Sequence, residues 1–400
     1  MGDSVPPGRR PNKTAPSPGD SSLPASPPPR AVSSAALRIL LIANCTASSV
    51  TARKRVVITR LLSGAHEVDV ALTQHRGHAT ELAAAASTSG IEVVVALGGD
   101  GTLNEVANGL AGTDCALAVL PGGSTNVLAR TLGLADDPIQ ATLQLLDALD
   151  LGLIRRVSLG RVSSLTPLDD SVPLANEAAP GNRAPSRRRG PASPPSEAPR
   201  WFTFHVGIGW DAATVAEVER RGSLKRYLNH LLFIYAGLKA FFRDTDRTSP
   251  WMRVEVDGEV VEGWQCLVLN SNPYTFVGSR AFDVDPRATL DARPTLVVAT
   301  RFGALDFLSL TTAALRGGGV AEHRTVRMFR GFENARIEAL RPLPWQVDGD
   351  YLGEVAGLTI DARPANLSLV TPGPPRPRRP GPGQRSRRRR GVPAWLRGGR

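Results

Sequence analysis

Residues 93–110 constrain this chain more than any other stretch. Residues 93–97 are an unbroken aliphatic run, as expected of a strand buried on both faces. The run breaks at Gly98-Gly99-Asp100-Gly101, and Leu103, Val106 and Leu110 then recur at helical spacing. Thr102 and Glu105 stand at the spacing of a capping box, so the helix is expected to cap its own first turn. A strand passing through glycines into a helix N-terminus offers backbone N–H groups and a positive dipole end to an anion. Glycine lets phosphate approach where a Cβ would collide. The carboxylate of Asp100 has no use against bare phosphate, but it has one if a divalent cation bridges the two. A plain strand–turn–helix corner needs neither the acid nor three glycines, so the stretch reads as a phosphate site.

Around it the chain alternates strand and helix. Residues 38–43 form an aliphatic strand that ends at Asn44, and a helix pattern follows to about residue 62. Residues 68–72 make the next strand, with Thr73 at its carboxyl end, and a helix is expected over 77–87. A fourth strand at 117–120 runs into Gly122, Gly123, Ser124 and Asn126, and helices at 125–133 and 137–149 close the set. Such alternation implies a parallel sheet with right-handed crossovers. Ligands collect outside the carboxyl ends of its strands. Four polar or glycine-rich segments (44–49, Thr73, 98–102 and 122–126) fall on that one edge, which suits a nucleotide-sized ligand.

Beyond residue 150 the texture changes. Short strands are expected at 154–162, 201–206, 251–257, 260–270, 295–300, 324–330, 335–340 and 344–348, with hairpin signals at Asp257-Gly258 and Asp348-Gly349-Asp350. Residues 217–242 read as a helix holding the most apolar stretch of the chain. The fold class expected is α/β: an N-terminal, parallel-sheet, three-layer nucleotide domain over 37–150, then an antiparallel β-rich, sandwich-like domain over 151–370. Residues 1–36, an insertion at 163–200 and a polybasic tail at 371–400 are Pro-, Ser- or Arg-rich and expected to be disordered.

Composition narrows the setting. No apolar run reaches the ~20 residues of a membrane span. The N-terminus lacks the apolar core of a secretory signal. Cys45, Cys115 and Cys266 are few, odd in number and scattered, which fits a reduced cytoplasmic protein. The net charge of +11 is carried mainly by residues 372–400, which hold ten arginines and no acid. A nucleic-acid-binding fold would place that charge on its body, so no nucleic-acid partner is expected. The stretch from Arg376 to Arg400 instead suits contact with an anionic membrane, the cytoplasmic protein then sitting peripherally on the inner face.

The motifs at 98–109 (Gly-Gly-Asp-Gly-Thr-Leu-Asn-Glu-Val-Ala-Asn-Gly) and 121–130 (Pro-Gly-Gly-Ser-Thr-Asn-Val-Leu-Ala-Arg) resemble the diacylglycerol kinase catalytic family. The likeness is to its bacterial soluble branch, related to sphingosine and ceramide kinases. Gly-Ile-Gly-Trp-Asp-Ala at 207–212 and Val-Asp-Gly-Asp at 347–350 extend it. The resemblance implies ATP, Mg²⁺, a lipid hydroxyl as acceptor at a membrane surface, and a site in the cleft between the two domains. It implies nucleotide contacts at Thr73, Gly98, Gly99, Asp100, Gly101, Thr102, Leu103, Asn104 and Ser124. Asn44, Glu105, Gly122, Gly123 and Asn126 complete that set from the same motifs and edge. Asp100 is the expected ligand of the catalytic cation. Asp291 is the candidate for a second Mg²⁺, although Ala292-Arg293 stands where the family carries Asp-Gly. The general base is placed at Asp348 or Asp350, with a lean to Asp348, and Asp100 completes the catalytic set. Two further readings stay open: an NAD-kinase-like enzyme acting on a soluble dinucleotide, and a homologue that binds lipid or nucleotide without catalysis.

Overall fold

The computed structural model describes residues 36–45, 47, 50–165, 199–213, 249–301 and 303–372. The expected helix at 217–242, the N-terminal tail to residue 35, most of the insertion and the tail from residue 373 lie outside them. Strands run into both ends of the expected insertion, reaching Ser164 and Arg200.

The N-terminal half is a three-layer α/β/α unit. Its elements are β1 (Arg38–Ala43), α1 (Ala52–Ser63), β2 (Glu67–Leu72), α2 (His78–Thr88), β3 (Val93–Gly98), α3 (Asp100–Leu110), β4 (Ala116–Pro121), α4 (Val127–Thr131) and α5 (Pro138–Asp150). The strands pair in parallel in the order β2-β1-β3-β4. Strands β3 and β4 are buried at every position, as an aliphatic run between two helical layers must be. Side chains alternate across the sheet. Val93, Val95 and Leu97 pack with Ile58 and Leu62 of α1 and Leu145 and Leu149 of α5. Val94 and Ala96 pack on the opposite layer with Ala79 and Ala83 of α2 and Leu103 and Val106 of α3. Helices α2 and α3 touch closely at Gly109, where a Cβ would lie 2.5 Å from the Thr80 carbonyl oxygen.

The second half is antiparallel. It comprises β5 (Ile154–Ser164), β6 (Arg200–Phe202), β7 (His205–Gly209), β8 (Met252–Val256), β9 (Glu259–Gly263), β10 (Gln265–Leu269), the small pair β11 (Thr275–Val277) and β12 (Arg280–Phe282), β13 (Thr295–Ala299), α6 (Ala304–Leu315), β14 (Val326–Arg330), β15 (Asn334–Val347) and β16 (Asp350–Val370). Strand β15 pairs with β8 over residues 335–339 and with β7 over 345–347, on either side of a register shift. Both branches feed one apolar cluster, in which Val254, Val268, Val298, Ile337, Trp345 and Ile360 meet. Both Asp-Gly signals make two-residue hairpins with two positive φ angles, at Asp257-Gly258 and Asp348-Gly349. Three expectations are corrected. Residues 260–270 form two strands separated at Trp264, residues 334–347 form one strand, and α6 and β16 carried no sequence signal that was read.

Strand β16 joins the halves. It starts at the Asp348-Gly349 turn, pairs along β15 and β5, and ends with Ser368 and Leu369 in parallel register on Ala116 and Leu117 of β4. The sheet is therefore continuous across residue 150, and Leu367 and Leu369 lie in the N-terminal core. No helix among the described residues is long and apolar enough to cross a membrane.

Candidate active site

Two glycine loops lie back to back at the carboxyl ends of β3 and β4. The Gly122 amide donates to the Gly98 carbonyl at 2.8 Å. A Cβ on Gly122 would come within 2.8 Å of Gly98 Cα, and one on Gly123 within 2.8 Å of Gly99 Cα. Only glycine permits this approach, and no side chain caps the first turn of α3 above it. Asn44, at the end of β1, donates from Nδ2 to Thr102 Oγ1 at 3.1 Å and ties the first strand to this loop. Thr73 is half-buried at the end of β2, its amide bonded to the Ala43 carbonyl at 3.1 Å, and Ser124 is exposed at the tip of the second loop. The expected strand-edge cluster of Asn44, Thr73, Gly98–Thr102 and Gly122–Ser124 is thus assembled.

Asp100 opens α3. Burial lifts its pKa to about 6; the backbone amides of Val127, Leu128 and Asn126 pull the other way, and the nearby charge of Asp348 adds to the rise. Its Oδ1 is buried with no hydrogen-bond partner among the described residues. An orphaned, desolvated carboxylate oxygen beside a glycine cradle fits a cation such as Mg²⁺, which would supply the missing opposite charge. Asp291 does not fit: the Arg155 guanidinium holds both of its carboxylate oxygens, so the expectation of a second metal there is corrected.

Asp348 and Asp350, far along the chain, come to the same place. Asp348 is buried, and its two oxygens accept from the Thr203 amide and hydroxyl (both 2.7 Å), the Phe204 amide (3.0 Å), the His205 amide (2.9 Å) and Asn104 Nδ2 (2.7 Å). Burial raises its pKa, against the pull of the donors from Thr203, His205 and Phe204. With its lone pairs taken, Asp348 pins the 203–205 turn to α3, and the lean toward it as base is corrected. Asp350 is part-exposed. Arg76 Nη2 and Arg200 Nη2 both donate to its Oδ2 at 3.0 Å. Oδ1 accepts no hydrogen bond among the described residues, and a Cβ on Gly101 would lie 3.6 Å from it.

Other expected nucleotide contacts serve the scaffold instead. Leu103 is wholly buried in the core, and its amide bonds to Gly99. Asn104 is a buried bridge: Nδ2 reaches Asp348 and the Trp201 carbonyl, while Oδ1 accepts from Arg200 Nε at 3.1 Å and Nη2 at 2.9 Å. Asn126, at φ 48°, folds its own loop by exchanging bonds with Gly123 at 2.8 and 3.0 Å. Glu105 caps no turn of its own helix. It accepts from the Gly77 and Ala79 amides at 2.9 and 3.2 Å and so caps α2, because the close packing at Gly109 brings that N-terminus within reach. Arg76, Arg200 and Thr203 were not read from sequence. Arg76 sits in an ordinary-looking turn, and Arg200 ends a stretch whose composition masks it.

An α/β sheet thus carries a double glycine cradle, a buried acid, two guanidinium groups and a part-exposed carboxylate at one place. Residues 38–162 match the family model described as the diacylglycerol kinase catalytic domain. The diacylglycerol kinase of Bacillus subtilis (strain 168) is 23% identical over 305 residues, 75% of this chain and 85% of that protein. A protein of Chromohalobacter salexigens named as a probable YegS-like lipid kinase is 41% identical over 91 residues, 22% of this chain and 29% of its own. The fold matches the crystal structure of a diacylglycerol kinase from Bacillus anthracis str. Sterne at a TM-score of 0.55 and 15% identity, covering 84% of this chain and 96% of that one.

Proposed function

We propose that this protein transfers the γ-phosphoryl group of ATP to the hydroxyl of a lipid, diacylglycerol or a close relative, with Mg²⁺ as cofactor. The observation that carries the reading is the meeting of Asp350 with the Gly98–Thr102 loop across some 250 residues of sequence. Phosphoryl transfer asks a protein mainly for positioning and charge neutralisation. The glycine loops offer backbone amides to phosphate oxygens, and Arg76 and Arg200 hold positive charge at the rim. Asp100 would hold the Mg²⁺, which supplies charge neutralisation at the phosphates. The accessible Oδ1 of Asp350 takes the hydroxyl proton as the acceptor oxygen bonds to the γ-phosphorus. The bridging P–O bond breaks, and ADP departs with the electron pair. Arg76 and Arg200 meanwhile keep Oδ2 fixed, so the carboxylate is oriented before the acceptor arrives.

The lipid acceptor rests on the named relatives and the wider resemblance. The arginine-rich stretch from Arg376 to Arg400 supports attraction to an anionic surface, at about 1 kcal/mol per residue at low salt. The test is phosphate transfer from labelled ATP to a panel of diacylglycerol, monoacylglycerol, sphingosine and ceramide, with NAD alongside. Labelled lipid that depends on Mg²⁺ supports the reading. Label on NAD alone replaces it with the dinucleotide reading, and no transfer to any acceptor favours a non-catalytic homologue. A chain ending at residue 372 should lose sedimentation with anionic vesicles, and equal binding would remove the role of the tail.

A further inference from the structure

The turn between β2 and α2 carries a cluster that the reaction above does not use. His75, His78 and Glu81 each bring one ligand atom to within 4.8 Å of the others. His78 opens α2, Glu81 follows one helical turn later, and His75 precedes the helix by three residues. The two imidazole rings stack with centroids 4.8 Å apart and planes at 15°. His75 Nδ1 lies 3.0 Å from the Arg76 carbonyl, which can only accept, so Nδ1 carries the proton and Nε2 keeps its lone pair. A backbone carbonyl on the far nitrogen is the usual way a metal-ligating histidine is oriented. The turn itself is fixed in advance: Glu105 holds the Gly77 and Ala79 amides, and Thr80 Oγ1 donates to the Glu105 carbonyl at 2.9 Å.

We propose that His75, His78 and Glu81 bind one divalent transition-metal ion of the zinc class. Two imidazoles and a carboxylate suit such borderline-soft ions and suit Mg²⁺ poorly. Ligands on a tetrahedral ion with ~2.0 Å bonds stand about 3.3 Å apart. The exposed side chains of His75 and Glu81 have the rotamer freedom to close the present gap. The Gln74 amide donates to His78 Nδ1 at 3.1 Å. Ligation through either nitrogen of His78 ends that bond, since the ion takes Nδ1 itself or leaves the proton there. Occupancy therefore frees the Gln74 amide two residues before Arg76, one of the two guanidinium groups on Asp350, while the Glu105 contacts hold the rest of the turn. This last link rests on the proposed role of Asp350; the metal site does not.

The experiment is calorimetric titration of Zn²⁺ into the metal-free full-length protein with Mg²⁺ in excess. One equivalent is expected to bind. His75→Ala, His78→Ala and Glu81→Gln should each weaken it at least ~10-fold with the thermal midpoint unchanged. His75 and Glu81 are exposed, so those two variants remain decisive if His78→Ala loosens the helix start. Absence of Zn²⁺ binding overturns the site, as does unchanged affinity in either exposed variant. Because the readout is binding, a protein that phosphorylates no lipid can still pass or fail it.

Discussion

Asp348 and Asp350 flank one glycine, yet one is locked by five donors and the other faces the glycine loop with an open oxygen. Their substitutions should therefore separate cleanly. Asp350→Asn is expected to lower kcat at least ~100-fold while nucleotide binding and the thermal midpoint hold. Asp348→Asn places an amide where donors converge and should cost about 2–4 kcal/mol in urea unfolding. Equal kcat for wild type and Asp350→Asn would move the base elsewhere. The sequence located this turn but not the division of labour within it. That depends on Thr203, Phe204 and His205, residues some 145 positions away that no local spacing can connect. His205 offers a second test. It is buried, neither ring nitrogen has a hydrogen-bond partner among the described residues, and burial holds its pKa at about 3 against an ordinary 6.5. As pH falls, the unfolded chain takes up the proton first. The stability tied to a neutral His205 is thus complete above pH 6.5 and drains away toward pH 3, by about 1.4 kcal/mol per pH unit. His205→Phe should flatten the fall in stability between pH 6.5 and 4 by about one proton. An unchanged slope in urea titrations across that range would refute the assignment.

At the scale of elements, the pair α2 and α3 shows how a correct spacing yields a wrong partner. Thr102 and Glu105 have the register of a capping box, but Thr102 lies inside the helix and bonds Asn44, while Glu105 reaches across to cap α2. Glu105→Ala should then destabilise the protein by about 1–2 kcal/mol and speed amide exchange in the first turn of α2, leaving that of α3 unaltered. Faster exchange confined to α3 would restore the self-capping reading. The parallel strands were legible because each is a short aliphatic run ended by glycine or a polar residue. Strand β16 was not, because Gly353, Gly357, Pro364 and Ala365 break its pattern, and Gly353 and Ala365 have positive φ. Only its pairing with β15, β5 and β4 makes it a strand. The helix α6 was missed for the opposite reason: among short strand signals its apolar run had no separate periodicity to announce it.

Over the whole molecule, β16 binds the antiparallel half to the N-terminal α/β half, a connection that a change of sequence texture near residue 150 conceals. A chain ending at residue 363 removes Leu367, Leu369 and Val370 from the N-terminal cores and should lose cooperative thermal unfolding, whereas one ending at residue 372 should unfold like the full chain. Matching melting curves for the two truncations would show that the N-terminal sheet stands without its fifth strand. The same strand sets a schedule for synthesis. β4 leaves the ribosome roughly 250 residues before the segment that pairs with its free side, a wait of about 12–50 s at ~5–20 residues per second. Throughout that interval the nascent sheet presents a buried-type, aliphatic edge to the cell, the kind that recruits stray strands. The candidate base arrives with the last fifth of the chain, so each molecule acquires its site only as its most vulnerable edge is sealed.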